Sequence, residues 1–345
     1  MKFFHCLNAI PERVLPEITF RVAFFVLVFL TAWLPGFSQM LDTRPSWIET
    51  TPLRFDPRFI TEKKIKWLEV SNMDKPDGSP IIDQGLKEFY RFDEKGNVAM
   101  YYKTRVKSKE LVEKEIPALY KKGKLVRKAY TKEEHTYFYD TTFYWFKYDT
   151  IGRIIMKKTK VADFFFAWYY EYDINGFIGR QTYVKETIPL SQSEESMAAS
   201  PVQTILSDEY FKYSFQSPSQ LRKSYLNDEG KEYRYAIINF DRTFIEENHA
   251  YKTGYVKHYY LYRFDEKGKL SEFIRRSNAN EEITFKTTYE YSATGELMAE
   301  RYYKEDTFTN EITWMYEKDT GLIKARLDRD FIGMRIGITK YLIGY

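Results

Sequence analysis

The chain contains one cysteine, Cys6, and it precedes the only long apolar run. Beyond that run there can be no disulfide, no thiol nucleophile and no cysteine metal site. Histidine is nearly as scarce, with 4 in 345 residues. His135, His249 and His258 match neither H-E-x-x-H nor any ligand spacing to a second histidine, so no metal and no cofactor are expected. His135 and His249 follow acidic pairs in what reads as charged loop, and His258 reads as a solvent-facing strand position. A G-x-S-x-G elbow, a phosphate loop and a dinucleotide fingerprint are all missing. Asp173–Gly176 looks like part of a calcium loop but lacks the glutamate that completes one. The 49 acidic residues offer too many carboxylate pairs to single out a glycosidase, and no residue is expected to be catalytic. Net charge is +4 with both signs interleaved. No basic block is read along the chain, so nucleic acid is not expected as a partner.

What is abundant is aromatic: 30 Tyr and 27 Phe bring the aromatic share to 18% with Trp. These residues favour a pleated, half-buried surface, so the composition points to β structure. The excess of Tyr suits faces that meet water, because the ring covers apolar area while the hydroxyl stays hydrated.

The first 38 residues read as a secretion signal. Lys2, Arg13 and Arg21 supply positive charge, Val22 to Leu34 form the apolar run, and Pro35, Gly36 and Ser38 follow. Cleavage is expected before Gln39. The apolar run has 13 residues, short of the roughly 20 a spanning helix needs. The exported chain is therefore expected to have no integral membrane span. Export without disulfides suits a bacterial periplasm or cell surface.

A repeated turn signature organises the rest. It reads YRFDEKGNV (Tyr90 to Val98), FKYDTIGRI (Phe146 to Ile154), YEYDINGFI (Tyr170 to Ile178), YRFDEKGKL (Tyr262 to Leu270) and YEYSATGEL (Tyr289 to Leu297). Weaker copies surround Gly230, Gly321 and Gly123. Two aromatics spaced by two share one strand face. An Asp opening a type I turn bonds back to the turn backbone, and Gly three later accepts positive φ. Each copy is thus a hairpin with a bulge at the glycine. The turn residues are Asp93 and Gly96, Asp149 and Gly152, Asp173 and Gly176, Asp265 and Gly268, and Gly295 after Ser292. Gly152 to Gly176, Gly268 to Gly295 and Gly295 to Gly321 span 24, 27 and 26 residues, a period of one hairpin plus connector.

These cores resemble the YD-repeat, or Rhs-repeat, family of exported bacterial β-hairpin proteins. The resemblance runs in patches from Leu86 to Leu327. It implies long, curving antiparallel sheets, which in some large members wrap a toxin inside a shell. Copies here are few and irregularly spaced, and a short tail follows the last, so no toxin domain is expected.

The fold expected is all-β, with tandem antiparallel hairpins in an extended, curved sheet, a solenoid or meander. An extended leading segment, 39–62, carries Pro45, Pro52 and Pro57 and lies against the first hairpin. The repeat domain covers 63–332, opening with a strand at Lys63–Ser71 and a turn at Asp74–Pro80, and is interrupted by a polar loop at 188–207. Residues 333–345 form a capping tail. The function expected is a non-enzymatic envelope scaffold binding a glycan, a peptide or an envelope protein. The candidate binding rows are Tyr90 with Phe92, Tyr170 with Tyr172, Tyr262 with Phe264, and Tyr289 with Tyr291. If the sheet stays open they form a strip for a ligand; if it curls they fill its inside. The alternative is an envelope enzyme or inhibitor with a site in the 188–207 loop or near the histidines.

Overall fold

The computed structural model describes residues 39–46, 48, 50–76, 78–187, 202–253, 257–278 and 282–345. The expected signal and most of the polar loop lie outside these described residues. In chain order the elements are helix α1 (Pro57–Glu62) and strands β1 (Trp67–Pro76), β2 (Ile82–Phe92) and β3 (Val98–Ile116). Next come β4 (Leu119–Lys121), β5 (Lys124–Arg127), β6 (Tyr130–Tyr148), β7 (Ile154–Val161), β8 (Phe164–Tyr172), β9 (Ile178–Thr187) and β10 (Val202–Ser217). Strands β11 (Gln220–Leu226), β12 (Glu232–Phe240), β13 (Phe244–Tyr251), β14 (Lys257–Phe264) and β15 (Leu270–Asn278) follow. The last are β16 (Glu282–Tyr291), β17 (Leu297–Lys304), β18 (Thr307–Tyr316), β19 (Ile323–Asp330) and β20 (Arg335–Gly344).

All strands except β4 and β5 belong to one 18-stranded antiparallel sheet in which each pairs with its neighbours in sequence. The sheet does not end. β1 pairs with β2 on one side and with β20 on the other, in register from Trp67↔Gly344 to Pro76↔Arg335. It is a closed barrel, which corrects the expectation of an open curved sheet or solenoid. Closure removes the row of unpaired backbone groups that an edge strand leaves exposed. The residues expected to cap the array, 333–345, hold the whole of β20 and so close the ring. The last six residues of the expected polar loop, 202–207, are strand, because β10 begins at Val202.

The turns follow the sequence closely. At the first, the Gly96 N–H donates to the Asp93 carbonyl (3.0 Å) and the Asp93 N–H to the Asn97 carbonyl (2.8 Å). The Asp93 carboxylate accepts from the N–H groups of Lys95 and Asn97. Asp149, Asp173 and Asp265 repeat these bonds, and a register shift marks the bulge beside each turn. Where the aspartate is replaced, Asn227 and Ser292 fill its place, with their side-chain oxygens accepting from the N–H four residues on. All five glycines predicted to hold positive φ do so, from 73° at Gly268 to 98° at Gly295.

The leading segment, expected to be extended, turns helical at Pro57–Glu62. It supplies the buried Met40, Leu41, Phe55, Phe59 and Ile60 to the same core as the inward aromatics of the ring. Phe55 does meet the first hairpin, edge-on to Tyr90 (5.1 Å) and Phe92 (5.2 Å). Helix α1 starts at a proline capped by Asp56, and its first carbonyl sits so close to Gly96 that any Cβ there would strike it. The segment thus fills the barrel beside its D-x-x-G turns.

Candidate functional site: an aromatic row outside the barrel

Strand alternation places the sequence-predicted rows on the inner face. Tyr90, Phe92 and Tyr170 are buried, and Tyr172, Phe264, Tyr289 and Tyr291 are half-buried there. Tyr262 also faces inward, where it stacks on Phe273 at 4.9 Å. The sheet has therefore curled, and these rings fill its inside.

The inner tyrosines are tied down in a repeating way. The Tyr148 hydroxyl donates to the Val98 carbonyl (3.1 Å), Tyr172 to Ile154 (2.8 Å) and Tyr291 to Leu270 (2.8 Å). In each case the second aromatic of one copy bonds the aliphatic residue of the copy before it. Burial raises the Tyr172 and Tyr291 hydroxyls to about 12, so they remain donors at neutral pH. Other inner tyrosines bond half-buried carboxylates. Glu88 accepts from Tyr90 and Tyr101, and Glu300 accepts from Tyr302 and the Trp314 indole. Burial pushes the Glu300 carboxyl up.

The histidines are arranged differently from their sequence reading. His249 and His258 lie directly opposite each other on β13 and β14, a cross-strand pairing that linear spacing hides. Both face inward, so His258 is not a solvent-facing residue, and burial lowers its pKa. His249 Nε2 is 2.8 Å from Glu247, and His258 Nδ1 is 3.4 Å from the Ser277 hydroxyl. His135 lies on the distant part of β6 beside Tyr137. Among the described residues no group of three or more His, Cys, Asp or Glu is placed to hold a metal ion.

The outer face carries ion pairs and rings, and ion pairs such as Lys87 with Glu69 (2.8 Å) occur among the rings too. From β9 to β19 it carries ion pairs along the strands: Arg180 with Asp208 (2.7 Å), Arg222 with Glu232 (3.0 Å), and Arg301 with Glu290 (2.8 Å) and Glu311 (3.1 Å). From β1 to β8 it carries rings. Trp67 stacks on Phe89 (5.9 Å), Phe89 on Tyr102 (5.3 Å), and Tyr102 meets Phe143 (5.3 Å). Phe143 stacks on Trp145 (5.9 Å), and Trp145 meets Phe165 edge-on (5.8 Å). All six rings are half-buried, so each keeps area toward solvent. Trp67 folds down onto the sheet, over the spot where a side chain on Gly344 would collide with its indole. Lys158 lies over the Phe165 ring at 4.3 Å and pairs with the buried Glu186. Sequence reading chose the opposite face because only the inner rings fall at fixed places beside the turn motif.

Neither a protein-family model nor a curated protein sequence matches the chain. Among solved structures, it is similar to a porin-like protein from Bacteroides uniformis at 11% identity and a TM-score of 0.34, over 81% of this chain and 98% of that one. A porin-like protein from Bacteroides vulgatus gives 12% identity and a TM-score of 0.28, over 59% of this chain and 94% of that one. A structure described as TcdB2-TccC3-TEV gives 10% identity and a TM-score of 0.13, over 90% of this chain and 23% of that one. At these scores the likenesses add nothing to the fold read from strand pairing.

Proposed function

We propose that the protein is an exported, non-enzymatic member of the bacterial envelope that holds an extended glycan along its outer aromatic row. The observation that carries this is the run of six partly exposed rings, Trp67, Phe89, Tyr102, Phe143, Trp145 and Phe165. Rings contributed by adjacent strands step by about 5 Å, close to the length of one sugar unit in an extended chain. Aromatic surface that is partly desolvated yet uncovered favours a partner with its own apolar faces, and a pyranose ring has them. Export rests on the signal pattern of residues 1–38, and the repeated turn geometry supports kinship with the YD-repeat family. Residence in water rather than lipid is supported by the outer ion pairs, since each Lys or Arg facing the bilayer midplane costs about 2–4 kcal/mol. An enzyme or inhibitor is the second reading. It draws on the His249–His258 pair alone, and both rings already have polar neighbours.

The test is binding of soluble β-linked glucan oligomers, followed by calorimetry, with Tyr102→Ser and Phe143→Ser combined. Two ring faces at roughly 0.5–1.5 kcal/mol each predict about a tenfold loss of affinity, with the melting curve kept. Equal affinity in the double variant would sink the proposal.

A further inference from the structure

β3 and β6 are 19 residues long, against 11 in β2 and 8 in β7. The excess leaves the ring. β2 accompanies β3 only as far as Lys103, and β7 accompanies β6 only from Tyr144 onward. The pairs from Thr104↔Thr141 to Ile116↔Tyr130 therefore form a two-stranded arm outside the barrel. At its end β4 and β5 make a small hairpin, turned by Lys122 and Gly123, both at positive φ.

The chemistry of this tip differs from the rest of the chain. Residues 116–131 include Lys121, Lys122, Lys124, Arg127 and Lys128 and not one acid, while Lys132 beyond them pairs with Glu134 at 3.0 Å. This run is a basic block that the reading of interleaved charge passed over. Lys121 sits directly opposite Lys124, an arrangement that destabilises a hairpin unless negative charge lies nearby. Between the cations are Leu119, Tyr120, Leu125, Val126 and Tyr130, which are 47–65% exposed. Isolated two-stranded ribbons are marginal in water, so this one gains from a surface to rest on. A free phosphate or a nucleic acid would satisfy the cations and leave the apolar side chains in water. A bilayer with anionic headgroups satisfies both, with cations at the phosphates and apolar groups at the acyl boundary.

We propose that the arm tip, Leu119–Arg127 with its flanking basic residues, docks on a bilayer surface carrying anionic headgroups. The barrel is then held off the membrane by the arm, and its aromatic row stays open. This inference is independent of the glycan reading.

The full chain is mixed with vesicles of phosphatidylcholine alone or phosphatidylcholine with phosphatidylglycerol, and the sedimented fraction is measured. The expected result is sedimentation that depends on phosphatidylglycerol and falls with salt. Each basic residue near such a surface is worth about fivefold in affinity, so Lys121→Glu with Lys124→Glu should lose tenfold or more. Tyr120→Ser with Leu125→Ser should lose several-fold while melting unchanged, because these residues lie outside the barrel. Equal binding to both vesicle types, or either double variant binding like wild type, overturns the proposal. So does duplex DNA or inorganic phosphate displacing the vesicles completely, which would make the tip a simple anion site.

Discussion

Gly268 shows how much one residue reveals. Its φ of 73° closes the turn opened by Asp265, whose carboxylate accepts from the N–H groups of Lys267 and Lys269. No heavy atom lies within 4 Å of where a Cβ would stand, so a substitution there is felt as backbone strain and not as a clash. Gly268→Val is expected to cost about 1–3 kcal/mol by urea denaturation, with amide exchange faster in β14 and β15. Unchanged stability would refute the turn geometry. Tyrosine, by contrast, was misleading as a residue type. Its hydroxyls were read as water-facing, yet Tyr90, Tyr101 and Tyr302 bond to carboxylates inside the barrel. Composition alone does not say which acceptor a hydroxyl finds. Lys223 is another inner residue that the sequence conceals. Its ammonium lies over the Phe211 and Tyr225 rings, and burial pulls its pKa from 10.5 down to about 8. Between those values the unfolded chain holds a proton that the folded chain has released, so this residue makes stability rise with pH through that window. The stability difference between wild type and Lys223→Met should grow in favour of wild type from pH 8 to 10.5. A difference that stays flat would mean the lysine keeps its charge when folded.

Hairpins were legible because their turns are local. Asp, Gly and the flanking aromatics act within nine residues, and the five close copies all fold as hairpins. Which face of each strand turns inward was not legible. In EFYRF and WFKY aromatic residues fall on both faces, so alternation carries no contrast between core and surface. Closure was hidden for another reason: it is a pairing between β1 and β20, and nothing near either strand in sequence announces it. β20 offers a direct check. Ile338 pairs with Met73 on one side and Leu327 on the other, so a proline there breaks the ladder in a strand with two neighbours. Ile338→Pro is expected to cost on the order of 3 kcal/mol and to speed amide exchange in both β1 and β19. Exchange rising in β19 alone would mean that β20 is a free edge and the ring is open.

The whole molecule separates three surfaces that a linear reading cannot. The inner face holds tyrosines, the carboxylates they bond and the leading segment. The outer face carries ion pairs and, from β1 to β8, the row of six rings as well. The arm projects a basic, apolar tip from one rim. One contact ties the outer aromatic row to the order in which the chain folds. Trp67, the first ring of the outer row, takes its position by lying on Gly344, and that glycine reaches it only when β20 pairs with β1. Contacts so distant in sequence form late, since loop entropy must be overcome before they give any return. A chain that has formed all its hairpins but not the β1–β20 pairing therefore lacks the Trp67 end of the row. A ligand that needs the Trp67 end would distinguish finished molecules from unfinished ones, and its binding would serve as a clock for the final step of folding.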